Sequence, residues 1–241
     1  MNTSAGYEKL FSAAVGEFWR AREGQAKTQR DKGVADAGSR GSVTGGKHLD
    51  SITGLVRKVF LDADPAIQVH TSGTDTVLPG YYRGSKDWDM VVTYDQAVVA
   101  IVEMKSQVGS FGNNLNNRVE EMVGQSLDLW RASRESLLGD LRPWFAYLML
   151  LEDSEKSRKP VGVRTRVGFP PDPQFVDASY MERYGLAFSR ARREGDVDAV
   201  CLAVSRKSSE QIAYPDRSMT FDAFAAQIVS RVSAVKALLA E

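Results

Sequence analysis

Apolar residues near the start of the chain recur at three- and four-residue intervals. Leu10, Phe11, Ala14, Val15 and Phe18 predict an amphipathic helix from about Tyr7 to Arg30. Leu49, Ile52, Val56, Val59 and Phe60 repeat the spacing from Lys47 onward, and Pro65 lies beyond the end of this second helix. The intervening Gly33 to Gly46 is rich in Gly, Ser, Asp and Ala and reads as a loop that orders on a partner.

The period then changes. Asp89-Met90-Val91-Val92 and Val98-Val99-Ala100-Ile101-Val102-Glu103-Met104-Lys105 are strand-like runs meeting at a hairpin. Ser106 to Asn117 is too rich in Gly and Asn for either regular element, and Asn117 is placed to cap the helix that follows. Val119, Met122, Val123, Leu127, Trp130 and Leu137 form that helix's predicted apolar side. Trp144 to Leu151 and Ala199 to Val204 are continuous apolar runs of strand length, as expected of central strands. Ser154 to Pro173 is basic and contains proline, so a surface loop is expected, and Tyr180 to Arg193 has helical character. Thr220 caps a last helix with Phe221, Phe224, Ala225, Ile228, Val229, Val232, Val235 and Leu239 on one stripe. The predicted class is α/β, a central mixed β-sheet flanked by helices on both faces, in one domain spanning residues 1–241.

Composition narrows the chemistry. The single cysteine, Cys201, rules out an intramolecular disulfide and a cysteine-rich zinc site, and its apolar neighbours mark it as a buried small hydrophobe. His48 and His70 are the only histidines, too few for a histidine-built metal centre, which leaves oxygen ligands. No apolar run approaches a membrane span and no secretory signal is visible, so a cytoplasmic location is expected. A formal net charge of zero argues against holding nucleic acid by bulk attraction alone. The charge is uneven, however: Arg20 to Lys58 has nine Lys or Arg against four acids, and Glu155 to Arg166 has five against one. Local basic patches fit a nucleic-acid binder that must release its product, and they fit a solvated surface equally well.

The hairpin supplies the chemistry. Side chains alternate along a strand, so Glu103 and Lys105 are expected to project together, on the side of Val99 and Ile101. With Asp89 across the hairpin, this sets two carboxylates and an ammonium at the end of an apolar stripe, where charges are costly unless paired, solvated or bound to metal. Two carboxylates suit a hard divalent cation that keeps several waters, and the lysine is placed to orient or deprotonate an attacking water. Metal-assisted phosphodiester hydrolysis follows. An acidic-x-Lys triplet is a weak pattern that composition alone supplies about once in such a chain. Its placement after a β-branched run, one hairpin from Asp89, favours a site over a surface ion pair.

Other features carry weaker signals. Gly41-Ser42-Val43-Thr44-Gly45-Gly46-Lys47 has phosphate-loop spacing, but His48 stands where Ser or Thr should bind magnesium and no strand precedes it. Glycine amides there, with Lys47 and His48 beside them, still fit a nucleic-acid phosphate. Asn113, Asn114, Asn116, Asn117 and Arg118 are residue types that read adenine and guanine in a major groove, and asparagine is equally at home in turns. Trp19, Trp88, Trp130 and Trp144 fit core packing, and Asp50 is expected to face solvent, with a third acid at the site as its alternative role.

The order Asp89, then Glu103-Met104-Lys105, is that of the PD-(D/E)XK nucleases. Trp88 to Val92 and Glu103 to Gly109 resemble the XhoI family of type II restriction endonucleases, as do Arg40 to Asp50, Ser110 to Glu121, Asp128 to Trp130 and Pro143 to Glu152. The residue before Asp89 is Trp88 rather than proline, which makes Asp87 a rival for the metal-binding position. The resemblance implies Mg2+-dependent double-strand cleavage within the palindrome CTCGAG with 5′ overhangs. Asp89 and Glu103 would be the metal ligands and Lys105 the third catalytic residue, in a homodimer accompanied by a DNA methyltransferase. A catalytically inactive DNA-binding module on the same scaffold and a nucleotide-binding protein are the competing readings.

Overall fold

The computed structural model describes residues 4–31, 47–207, 209 and 211–239. Strands β1 (Gln68–His70), β4 (Met90–Tyr94), β5 (Ala97–Gln107), β6 (Trp144–Glu152), β7 (Ala199–Ser205) and β8 (Ile212–Ala213) form one mixed sheet in the order β1-β4-β5-β6-β7-β8. β5, β6 and β7 run parallel at its centre, and the remaining pairs are antiparallel. A separate two-stranded hairpin pairs β2 (Val77–Pro79) with β3 (Ser85–Asp87).

Helices cover both faces of the sheet, which is why its central strands are apolar throughout rather than alternating. On one face α1 (Ser4–Asp31), α2 (Asp50–Ala63) and α6 (Phe221–Leu239) pack Phe11, Phe18, Val56, Phe60, Phe224 and Ile228 on Val102, Ala146, Leu148 and Cys201. On the other, α3 (Phe111–Arg134) and α5 (Tyr180–Glu194) pack Leu115, Met122, Leu129, Tyr184 and Phe188 on Ile101, Tyr147, Met149 and Leu202. A short α4 (Glu155–Arg158) interrupts the predicted Ser154 to Pro173 loop. Thr220 caps the last helix as expected, its Oγ1 accepting from the amide of Ala223 at 3.1 Å.

The structure corrects the sequence reading in three places. Helix α3 begins at Phe111, not after Asn117, because Phe111 and Leu115 anchor its first turns in the core. Its start is set by Gly109 and Ser110, both at positive φ (67° and 47°). The helix is also rotated from the predicted phase: Leu129 and Ala132 are buried, whereas Val123, Leu127 and the more distant Leu137 are exposed. Finally, Val99 does not share a side with Ile101. The β4–β5 register shifts between Val92 and Thr93, so Val99 turns to the α1 face. Beyond this bulge the alternation resumes, and Ile101, Glu103 and Lys105 share a face as predicted. The Gly33 to Gly46 loop, and with it the glycines of the phosphate-loop-like segment, lies outside the described residues.

Candidate active site

Strand pairing builds the site. Met90 lies opposite Val102, so Asp89, one residue before β4, falls beside Glu103 on β5. Asp89 closes the hairpin end: its Oδ2 accepts the backbone N–H of Met104 at 2.8 Å and Nζ of Lys105 at 2.8 Å. The same Nζ donates to Oε1 of Glu103 at 2.8 Å. One ammonium thus bridges the two carboxylates, and the three residues singled out from the sequence meet at one point.

Glu103 is 2% exposed, and a carboxylate so buried needs several donors. It has three beyond Lys105, one of them the backbone N–H of Asp89, 3.5 Å from Oε2. The amide Nε2 of Gln125 on α3 donates to Oε1 at 2.8 Å. The ammonium of Lys86 on β3 stands 3.3 Å from Oε1 and 3.5 Å from Oε2, and 3.9 Å from the ring centre of Trp88. Burial works against the charged form of Lys105, but Glu103 and Asp89 outweigh it, and its pKa is held above the ordinary lysine value. Lys105 is thus held as an ammonium between the two carboxylates.

Asp89 also lines an open cleft of about 560 Å³ between α2 and the β1–β3 segment, together with Asp50, Thr53, Arg57, Gly73 and Asp87. Asp50 is exposed, as expected, and borders the same cleft. Asp87 is engaged elsewhere, its Oδ1 accepting from Thr76 Oγ1 at 2.7 Å. Among the described residues no three acidic, cysteine or histidine side chains gather as a metal cage. A pair of carboxylates joined by one ammonium matches the other kind of cation site, in which Mg2+ keeps its waters and takes one or two carboxylates plus substrate phosphate.

The remaining sequence candidates divide. Asn116 and Asn117 are exposed and Asn114 half-buried in the opening turns of α3, the helix that also supplies Gln125. The side chains of Asn113 and Lys47 lie outside the described residues. Arg118 is turned inward and paired with Glu121, its Nε buried without a partner. His48 is buried, its ring 5.6 Å from that of Phe18 and its Nε2 3.4 Å from Ser106 Oγ. Burial and then the nearby Arg22 push its pKa below the ordinary histidine value. In this structure Arg118 serves an ion pair on the helix, and His48 is a buried contact of Phe18 and Ser106.

Lys86 and Gln125 were missed from sequence. Lys86 sits in a three-residue strand with no alternation to reveal it. Gln125 was hidden by the wrong helical phase; the correct one, through Leu115, Met122 and Leu129, sets Gln125, Ser126 and Asp128 on the inner side, where polar residues need a reason.

Known proteins resemble this chain over most of its length. A family model described as restriction endonuclease XhoI matches residues 28–215. The chain is similar to the type II restriction enzyme BstVI of Geobacillus stearothermophilus, 45% identical over 183 residues, covering 71% of this chain and 80% of that enzyme. It is 43% identical over 187 residues to the type II restriction enzyme XhoI of Xanthomonas vasicola, covering 75% of this chain and 73% of that enzyme. The type II restriction enzyme AbrI of Azospirillum brasilense is 39% identical over 158 residues, covering 64% of this chain and 71% of its own length. No solved structure matches significantly.

Proposed function

Because this chain belongs to the XhoI family of type II restriction endonucleases, we propose that it makes Mg2+-dependent double-strand cuts within CTCGAG, leaving 5′ overhangs. The observation that supports the chemistry is the single Lys105 ammonium, 2.8 Å from both Asp89 and Glu103. On this reading the chain is a PD-(D/E)XK nuclease of one domain, residues 1–241.

In this reading Asp89 and Glu103 hold Mg2+, which when bound supplies a Lewis acid for the phosphoryl oxygen and a more acidic water. The chain's own residues do the rest. Lys105 donates hydrogen bonds that orient the attacking water and offset charge building on the phosphoryl oxygens. Lys86 and Gln125 fix the Glu103 carboxylate so that its oxygens do not drift when substrate enters. Lys47, Asn113, Asn114, Asn116 and Asn117 contact DNA, the asparagines from the start of α3. A palindromic target makes a twofold homodimer the economical assembly. A companion methyltransferase protecting the same site, and residence in the cytoplasm with the host DNA, complete the proposal; no described helix is long and apolar enough to cross a membrane.

The test is digestion of a plasmid carrying one CTCGAG site, with and without Mg2+. Linear product only with the metal, with 5′ extensions at that site, is the expected result. A DNA shift without cutting at any metal concentration would indicate an inactive binding module, and cutting elsewhere would overturn the assigned sequence.

A further inference from the structure

The β2–β3 hairpin enters the proposed mechanism through Lys86 alone, yet its tip, Gly80-Tyr81-Tyr82-Arg83-Gly84, is built with care. Asp128 of α3 is 2% exposed and directed at this tip. Its Oδ1 accepts the backbone N–H groups of Tyr81 (2.9 Å) and Tyr82 (2.7 Å), and its Oδ2 lies 2.9 Å from Nε of Arg83. Gly80 is required by the close approach: a Cβ there would lie 2.8 Å from Asp128 Oδ2 and 3.0 Å from the carbonyl oxygen of Arg83. Arg131, one helical turn after Asp128, stands 4.9 Å from the ring centre of Tyr81.

A buried carboxylate committed to a loop normally secures something inward. Here it secures two tyrosines pointing outward, Tyr81 at 42% and Tyr82 at 64% exposure, their rings edge to face with centres 4.9 Å apart. Folding gains little from displaying them, and a rigid aromatic pair flanked by arginines is suited to contact.

Its position says what it contacts. The descending leg of the hairpin carries Lys86, whose ammonium touches Glu103, and Tyr82 is four residues from Lys86. Their Cα atoms therefore lie within about 14 Å of one another. That separation is at most comparable to the width of a major groove, so the tip is within reach of a duplex whose phosphate sits at Asp89 and Glu103. We propose that the Gly80–Gly84 tip is a preformed DNA clamp. The Tyr81 and Tyr82 hydroxyls donate to phosphate oxygens and their rings lie against the sugars, with Arg83 and Arg131 beside the same strand. The clamp rests on the nuclease reading, since it needs a duplex at the carboxylates.

The test is anisotropy titration in Ca2+ of a labelled duplex carrying CTCGAG and of a scrambled duplex. The wild type would be compared with Tyr82→Ala, the Tyr81→Ala/Tyr82→Ala pair and Gly80→Ala. A loss of at least tenfold is expected for both duplexes in the double variant, because the contacts are to the backbone. Gly80→Ala should weaken binding by loosening the clamp while both tyrosines remain. Unchanged affinity in the double variant overturns the clamp, as does a loss of affinity that sedimentation traces to separated subunits, which would make the tip a contact between copies. Failure of the wild type to cut DNA with Mg2+ would instead sink the nuclease reading, a result separate from either.

Discussion

Gln125 and Glu103 meet across 2.8 Å, a helix amide donating to the carboxylate that ends the apolar stripe of β5. Both partners are buried, and Oε1 of Gln125 has no partner of its own, so the amide is poorly satisfied for stability and well placed for holding Glu103. Gln125→Leu should therefore fold, having exchanged an orphaned acceptor for an apolar surface. Its cleavage rate should fall about 10- to 100-fold, as when other supporting partners of a metal-holding carboxylate are removed. Single-turnover cleavage at saturating DNA, beside a thermal unfolding scan, separates the two effects. A rate equal to wild type would release Gln125 from any part in the reaction.

Lys105→Ala should have a larger effect of a different kind. It removes the ammonium between Asp89 and Glu103, but Lys86 remains 3.3 Å from Glu103 and Gln125 keeps its hydrogen bond. The buried charge is thus still partly compensated and the chain should fold. Cleavage should fall about 100- to 1,000-fold, the range expected when one preorganised donor to developing charge is lost. Specific binding in Ca2+ should stay close to wild type, because Lys105 is on neither the asparagine segment nor the hairpin tip. Binding lost in proportion to cutting would make Lys105 a DNA contact instead.

Why these three charges could be found from sequence while their supports could not is a matter of how each is encoded. Glu103 and Lys105 interrupt a long apolar strand and Asp89 stands just before its hairpin partner, so the charges stand out and strand pairing alone brings them together. The central strands were legible for the same reason, since Trp144–Glu152 and Ala199–Ser205 are buried on both faces. The phase of α3 was not. Val123 and Leu127 look like core residues by type, and only the packing of Leu115, Met122 and Leu129 on the sheet shows that they face outward. Asparagine's weak helix propensity likewise suggested a loop at residues 113–117, where tertiary anchoring by Phe111 overrides it. The bulge that turns Val99 over has no marker in a run of β-branched residues.

Acid should loosen the contact between the last helix and α2. Lys236 Nζ lies 2.6 Å from Asp64 Oδ2, and Asp64 also accepts the Ala66 amide at 2.9 Å. The Lys236 hydrogen bond, then the Ala66 amide, holds the Asp64 carboxyl below its ordinary range. A carboxylate whose pKa is lowered by folding stabilises the fold above its unfolded value, near 3.9, and loses that contribution as pH falls through the folded value. Asp64→Asn should therefore melt below wild type at pH 7, and the gap should narrow at pH 2. Thermal scans at both pH values check this, and a gap of equal size at each would show that the charge is not the cause.

Asn117 and Arg118 are adjacent in sequence, but the helix sends them to different surroundings. Asn117 is exposed on the opening turns of α3, while Arg118 is half-buried, paired with Glu121 and close enough to Tyr184 to oppose the rise that burial imposes on its phenol. Asn117→Ala should leave the melting temperature unchanged. As a base contact, Asn117 should account for about 1–3 kcal/mol of discrimination at one base pair, read by binding to a set of singly substituted CTCGAG duplexes. Arg118→Ala should do the reverse, keeping discrimination and losing about 1 kcal/mol of stability, some 2–4 °C in a domain of this size. If Arg118→Ala flattened discrimination at a guanine while the melting temperature held, the arginine would have to swing out of its buried position to read DNA, and the inward pair with Glu121 would describe only the free protein.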